Sequence, residues 1–281
     1  STLVQKRKRP ISSLPYMIKG NMPYDGGYLL MDVATKNHIV EQDRRVLQYM
    51  RRIVGSDEFI NGIERWCFWI TDDKADAALE IPVIKERVDL VRDLRLSKTD
   101  KNAQRLAAYP YRFREMHETT TNSLVVPSVS SENREYIPVG FIDKKTVVTN
   151  LAFVIYDCDP WIFGVVSSKM HNLWIKAVCG GLETRIRYSS ELGYNTFPFP
   201  AITDEQKKEI RNCVNQIIAV REEEFDKTYA QMYKKDEMSD NLRFAHSMLD
   251  LQIERCYRDE PFVSDDERLD CLFELYEKIG G

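Results

Sequence analysis

Apolar positions change their period repeatedly along this chain, and the changes outline its architecture. After a turn at Pro23-Tyr24-Asp25-Gly26-Gly27, the run Tyr28, Leu29, Leu30, Met31, Val33 predicts a strand entered through glycines that supply positive φ. Val46, Leu47, Met50 and Ile53 recur at helical spacing and predict a helix over residues 41–54, stopped by Gly55. Arg65-Trp66-Cys67-Phe68-Trp69-Ile70 is too short for a helix of its own and predicts a buried strand. Pro82 suits a first helical turn, and Ile84, Val88, Val91 and Leu94 carry that helix to Leu96.

The middle of the chain alternates strand-like runs with turns: 124–127, 136–142 and 147–156. Pro127 and Pro138 argue for edge or bulged strands, because proline cannot donate to a ladder. From Asp159 the period is helical up to Gly180-Gly181, and an alternating strand follows whose one face carries Glu183, Arg185 and Arg187. Phe197-Pro198-Phe199-Pro200 must be extended, since each proline disfavours helix at the residue before it. Beyond it, Thr203 and Gln206 form a capping box that opens the first of three amphipathic helices, over 203–225, 238–257 and 265–279. The pattern therefore predicts an α+β chain: a basic arm or linker (1–17), a mixed α/β domain (18–202) and a helical bundle (203–281).

Charge sharpens that division. The net charge of −4 conceals 28 basic against 24 acidic residues before Thr203 and 12 against 20 from there on. An acidic bundle repels phosphates, so its work is structural or protein-facing. No run approaches 18 apolar residues and the first residues lack an apolar signal core, which excludes a visible membrane span or export signal and favours the cytoplasm. The six cysteines show no C-x-x-C pair and no neighbouring His at metal spacing, so they read as buried thiols of a reducing compartment.

Candidate chemistry concentrates between residues 85 and 134. Lys85, Arg87, Arg92, Arg95, Lys98, Lys101, Arg105, Arg112 and Arg114 face only four acidic residues across 85–114. Such density is what a phosphate-facing surface requires, although a solvated helix face has the same composition. Glu132 and Arg134, two residues apart in a polar loop, offer an acceptor for a cytosine amino group and a donor fork for guanine. An internal salt bridge uses the same pair of residue types.

Catalytic signatures are missing. The chain has no G-x-S-x-G, H-E-x-x-H, P-loop or G-x-G-x-x-G. Asp157-Cys158-Asp159-Pro160-Trp161 resembles only in part the Asp-Pro-Pro-Tyr loop of amino-methyltransferases, with one proline where two are needed, and reads as a turn with Pro160 at the first helical position. His38, His117, His171 and His246 have no sequence-local partners.

Five blocks, in order, carry a resemblance: Gly20-Asn21-Met22-Pro23-Tyr24-Asp25-Gly26-Gly27-Tyr28-Leu29, residues 55–67, residues 130–140, Trp174-Ile175-Lys176-Ala177-Val178-Cys179-Gly180-Gly181, and Tyr194-Asn195-Thr196-Phe197-Pro198-Phe199-Pro200. Together they closely resemble the target-recognition region of MmeI-like restriction-modification enzymes. Ala245-His246, Leu249-Asp250 and 272–276 resemble the helical carboxy-terminal region of the same family. The resemblance implies a fragment of a larger enzyme whose adenine-N6 methyltransferase part, using S-adenosylmethionine, precedes it. It implies a double-stranded DNA partner, contact with that methyltransferase domain, and no cofactor or catalysis in this chain. Lys98, Lys101, Asn102, Glu132 and Arg134 are then expected to read bases, and Arg92, Arg95, Arg105 and Arg112 to hold phosphates. The alternative is a protein-interaction module working through the acidic bundle.

Overall fold

Short strands and helices alternate through the first two thirds of the chain, and helices alone follow. The computed structural model describes residues 3–131, 133–182 and 185–280. Among them the elements run β1 (Ile18–Lys19), β2 (Leu30–Asp32), α1 (Val33–Gln42), β3 (Met50–Val54), α2 (Ser56–Asn61), β4 (Arg65–Phe68), α3 (Ala75–Leu79), α4 (Pro82–Leu96), α5 (Lys101–Leu106) and β5 (Asn122–Pro127). They continue with β6 (Val129–Ser131), β7 (Gly140–Asp143), β8 (Val147–Val148), β9 (Ala152–Tyr156), α6 (Pro160–Ser167), α7 (Lys169–Cys179), β10 (Gly181–Leu182) and β11 (Arg185–Arg187). The helices α8 (Asp204–Glu223), α9 (Tyr229–Met232), α10 (Asp240–Arg255) and α11 (Asp265–Ile279) complete an α+β arrangement.

Three sheets organise the first part, with strand orders β1-β9-β5-β7, β2-β4-β3-β8 and β10-β11-β6. The first two meet at Gly20 and Asn21. A Cβ on Gly20 would lie 2.3 Å from the Thr149 carbonyl oxygen, so only glycine lets the strands approach there. Asn21 is buried beside it, donating to the Val148 carbonyl and accepting from the His117 N–H at 2.7 Å.

The strand β5, whose proline suggested an edge or bulged strand, pairs with β9 on one side and β7 on the other and so is central and not at an edge. Pro127 is tolerated because the β7 register ends opposite Val125, leaving no ladder partner waiting for its missing N–H. Alternation sends Leu124 and Val126 to one face and Val125 to the other. Val125 and Val154 pack with Phe59 and Ile60 of α2, whereas Leu124, Val126, Phe153 and Ile155 pack with Phe163 of α6 and Trp174 of α7. Helices α8, α10 and α11 extend that second core through Val214, Leu249 and Leu272. The carboxy-terminal helices, expected as a small bundle, share a core with the sheet beneath them.

The helix expected over 41–54 does not form. Asp43 ends α1 and caps a 3-10 turn over Arg44–Tyr49, which passes directly into β3. Ile53 and Val54 pair in parallel with Val147 and Val148 of β8, a partner about ninety residues away. The run 136–142 likewise becomes a strand only from Gly140, and residues 65–70 only as far as Phe68. The three late helices fall where the period placed them, including the Thr203/Gln206 capping box. The amino-terminal segment, expected as a basic arm or linker, is strapped down: the Ile11 N–H donates to the Asn195 carbonyl, Ser12 Oγ to Phe197 and Tyr194 Oη to Pro15.

Candidate nucleic-acid interface

The basic segment divides into arginines that hold the fold and cations that project from it. In α4 the buried positions are Ile84, Val88, Val91 and Arg95. Arg95 is fully buried (0% exposed), and its guanidinium donates to five main-chain carbonyls: Tyr24, Leu106, Tyr109, Pro23 and Arg112, at 2.7 to 3.1 Å. Those bonds use every N–H that a guanidinium has. The expectation that Arg95 holds a phosphate is therefore overturned. It is a clamp that ties the turn at Pro23-Tyr24 to the loop 106–112. The spacing 84, 88, 91, 95 continues the apolar stripe of α4, a signal present in the sequence. Arg87 is also committed, donating to the Tyr28 carbonyl at 2.7 Å.

Arg92 and Arg112 remain half-buried at the rim. Arg92 Nη1 lies 2.7 Å from Asp89, which also takes Lys85, and Arg112 pairs with Asp72 while its guanidinium lies over Tyr109. Lys98, Lys101, Asn102 and Arg105 are exposed, and no ion pair forms at these cations among the described residues. Their loop is shaped by its own bonds. The Asp100 carboxylate accepts from the N–H groups of Asn102 and Ala103 at the start of α5, Gln104 Nε2 donates to the Lys98 carbonyl at 2.7 Å, and Ser97 Oγ to Leu94. Three polar tips, Lys98, Lys101 and Asn102, stand on a defined turn.

Arg134 occupies a second loop, beyond β6. Its N–H closes a turn on the Ser131 carbonyl, and its Nη1 donates to Ser130 Oγ at 3.3 Å. The guanidinium is half-buried, and desolvation lowers its pKa. Glu132 lies outside the described residues. Arg134 borders a groove of about 530 Å³ with Ser56, Asp57, Asn61, Ser131 and Arg185. Arg185 was noted in the sequence only as part of an alternating strand; the pairing of β11 with β6 sets it opposite Ser131, beside Arg134. No hydrogen bond or ion pair among the described residues joins the Arg134 loop to the Lys98–Asn102 turn. The two stand on separate supports.

The remaining candidates have structural roles. Asp25 closes the glycine turn by accepting from the N–H groups of Gly27 and Leu29, with Gly26 and Gly27 at φ 65° and 86°. Asp159 caps α6 through the Trp161 N–H, with Pro160 at its first position, and pairs with Arg211. His171 and His246 are buried against the hydroxyls of Tyr188 and Tyr233, and burial lowers both imidazole pKa values, that of His171 to about 3. The Cys67 and Cys158 thiols are pushed up by burial, which makes them poor nucleophiles. Among the described residues no three His, Cys, Asp or Glu side chains converge on a metal site, and no helix is long and apolar enough to cross a membrane.

Comparison with known proteins bears on the same residues. Residues 1–201 match the family model of the MmeI target recognition domain, and residues 202–280 that of the MmeI C-terminal domain. The chain is 43% identical over 277 residues to DNA methyltransferase A of Bacillus subtilis (strain 168), covering 99% of this chain and 31% of that protein. It superposes with a TM-score of 0.94 and 35% identity on the type IIL restriction-modification enzyme MmeI solved in complex with DNA, covering 99% of this chain and 37% of that one. The type IIG restriction endonuclease BpuSI superposes over 97% of this chain and 32% of its own, with a TM-score of 0.50 and 11% identity, a likeness of fold alone. The chain thus spans about a third of the length of these relatives. It belongs to the MmeI family, as a target recognition domain followed by the family's C-terminal domain.

Proposed function

We propose that this chain is the sequence-reading module of a restriction-modification DNA methyltransferase, binding double-stranded DNA and leaving the transfer of a methyl group to adenine N6 to another part of the same polypeptide. One observation carries the reading. In a family of target recognition domains, two separately braced loops present polar and cationic tips, and one of those tips, Arg134, is half-buried in a groove with Ser130 as its hydrogen-bond partner. A half-buried guanidinium has unspent donors, and a base edge or phosphate accepts them bidentately. Lys98, Lys101, Asn102 and Arg134 are assigned to base edges. Glu132 is assigned there on its sequence position alone. Arg105, Arg92 and Arg112 are assigned to phosphates, joined by Arg185. Separation of the two loops suits the task, because successive base pairs lie about 3.4 Å apart along the duplex and one loop cannot span a whole site.

The cofactor belongs to the remainder of the polypeptide. The glycine turn at residues 25–27 does not suit S-adenosylmethionine, because the N–H groups of Gly27 and Leu29 are already taken by the Asp25 carboxylate. The preceding methyltransferase domain is the intramolecular partner, and six free thiols suit a cytoplasmic setting. The test is fluorescence-anisotropy titration of the chain with mixed-sequence duplex over a range of salt, beside a variant carrying Lys98→Glu, Lys101→Glu and Arg134→Glu. Binding that falls steeply with salt and collapses in the variant is expected. Affinity indifferent to salt and to charge reversal would favour a protein-interaction module instead.

A further inference from the structure

The loop that carries Arg134 is not held by its own domain alone. Among the described residues no regular element lies between Ser131 and Gly140, yet Glu135 and Tyr136 are each fastened to the helices beneath. The Glu135 main-chain carbonyl accepts from Asn172 Nδ2 of α7 at 2.8 Å, and its carboxylate pairs with Arg243 of α10. Arg243 also donates to the Lys235 carbonyl at 3.1 Å, which fixes its own direction. Tyr136 stacks on His246 with ring centroids 4.3 Å apart, and its hydroxyl donates to Asp250 Oδ2 at 2.7 Å. Asp250 is itself buried, and its other oxygen accepts from the Lys169 N–H that opens α7.

Arg243, His246 and Asp250 are spaced i, i+3, i+7 and therefore share one face of α10. That face grips two consecutive residues directly after Arg134, while on the other side β6 is held by its pairing with β11. Arg134 is thus suspended between a strand of the recognition domain and a helix of the C-terminal domain. Adjacent Cα atoms are about 3.8 Å apart, so any shift of Glu135 and Tyr136 passes to Arg134 nearly undiminished. Bidentate base contacts need their donors placed to within about 0.5 Å.

From this geometry we infer that Arg243 and Asp250, with Tyr136 and Glu135 as their points of attachment, are positioning residues for Arg134, so that the C-terminal domain takes part in sequence discrimination without touching DNA. This inference rests on the reading of Arg134 as a base-contacting residue.

The test uses the full-length polypeptide. Its target is first read by methylation of a random duplex library, and initial rates are then measured on duplexes substituted at each base pair in turn. Arg134→Ala should level discrimination at one base pair. Tyr136→Phe combined with Arg243→Ala keeps the ring and removes the hydroxyl bond to Asp250, the ion pair with Glu135 and the bond to the Lys235 carbonyl, and urea unfolding of this variant checks that it folds. It should reduce discrimination at that same base pair about five- to tenfold and leave the other positions within about twofold, as expected for a contact that is misplaced and not deleted. Leu272→Ala, in the core of α11, supplies a destabilised comparison that should change no single position. If Arg134→Ala levels one base pair while the double variant keeps wild-type discrimination there, or loses it equally everywhere, the positioning role is overturned and the base contact stands. If Arg134→Ala changes no position, the base contact is wrong and the positioning role falls with it.

Discussion

Arg95 Nη2 donates to the main-chain carbonyl of Arg112 at 2.7 Å, so one arginine of the basic segment holds another in place. Both come from the same stretch of positive charge, and they do opposite work. Arg95 spends its donors inside the protein, whereas Arg112 keeps its guanidinium at the rim beside Asp72.

That relationship predicts the response to substitution. Arg95→Ala removes all five bonds of a fully buried side chain, leaves part-buried carbonyls without their donor and opens a cavity, and should cost about 3 kcal/mol of stability. Arg95→Lys, with three donors on one nitrogen, should recover only part of it. Urea unfolding measures the loss, and hydrogen exchange across residues 106–112 should rise in both variants. Unchanged stability in Arg95→Ala would contradict the clamp.

The exposed residues of the neighbouring turn should behave differently from one another in DNA binding. Arg105→Ala removes a proposed phosphate contact and should lower the slope of log affinity against log salt by about 0.9, uniformly over sequences. Asn102→Ala removes no charge, so the slope should hold while discrimination at one base pair weakens by about 1 to 3 kcal/mol. Binding isotherms at four salt concentrations on two sequences separate the cases, and identical behaviour of the two variants would remove the distinction drawn between them.

The joint between the first two sheets gives a third test. Gly20→Ala would place a methyl group 2.3 Å from the Thr149 carbonyl oxygen and 2.5 Å from that of Val148, both backbone atoms with little room to yield. A cost of about 1 to 3 kcal/mol, or more, is expected from such overpacking. Retention of the wild-type denaturation midpoint would mean that the two strands can part.

A pH dependence follows from Asp250, whose pKa burial raises from 3.8 to about 7. Between those values the folded chain keeps a proton that the unfolded chain has released, so this contribution to stability is present below about pH 4 and lost as pH rises through about 7. His171 and His246 act in the opposite sense: burial keeps them neutral, and their contribution is lost as pH falls below their ordinary value of 6.5. Asp250→Asn should therefore gain stability relative to the native chain on going from pH 5 to pH 8. Denaturant midpoints of both proteins at the two pH values show the difference, and parallel curves would count against a proton held at Asp250.

Local rules account for what was legible in the residues themselves. Thr203 with Gln206, Pro82 at a first helical turn, Asp159 before Pro160, and the stripe Leu242, Ala245, Leu249, Ile253 each need only neighbours within a few positions, and the structure carries all of them. The blocks that signalled the family are legible for a related reason. Gly20, Asn21, Trp174 and Tyr194 are buried at joints, where one residue type alone fits the space or completes the hydrogen bonds.

What the sequence by itself determined is the α+β class, the helices with their caps, and the family with its expected pair of loops. Tertiary structure alone decided that residues 50–54 are a strand, that five main-chain carbonyls meet the Arg95 guanidinium, and that the Arg134 loop hangs from a helix more than a hundred residues away. The reason is the same in each case. Val147 and Val148 for β3, the carbonyls of Pro23 and Tyr24 for Arg95, and the carboxylate of Asp250 for Tyr136 all arrive from distant parts of the chain, and a charge or a β-branched residue takes its role from the partner that meets it.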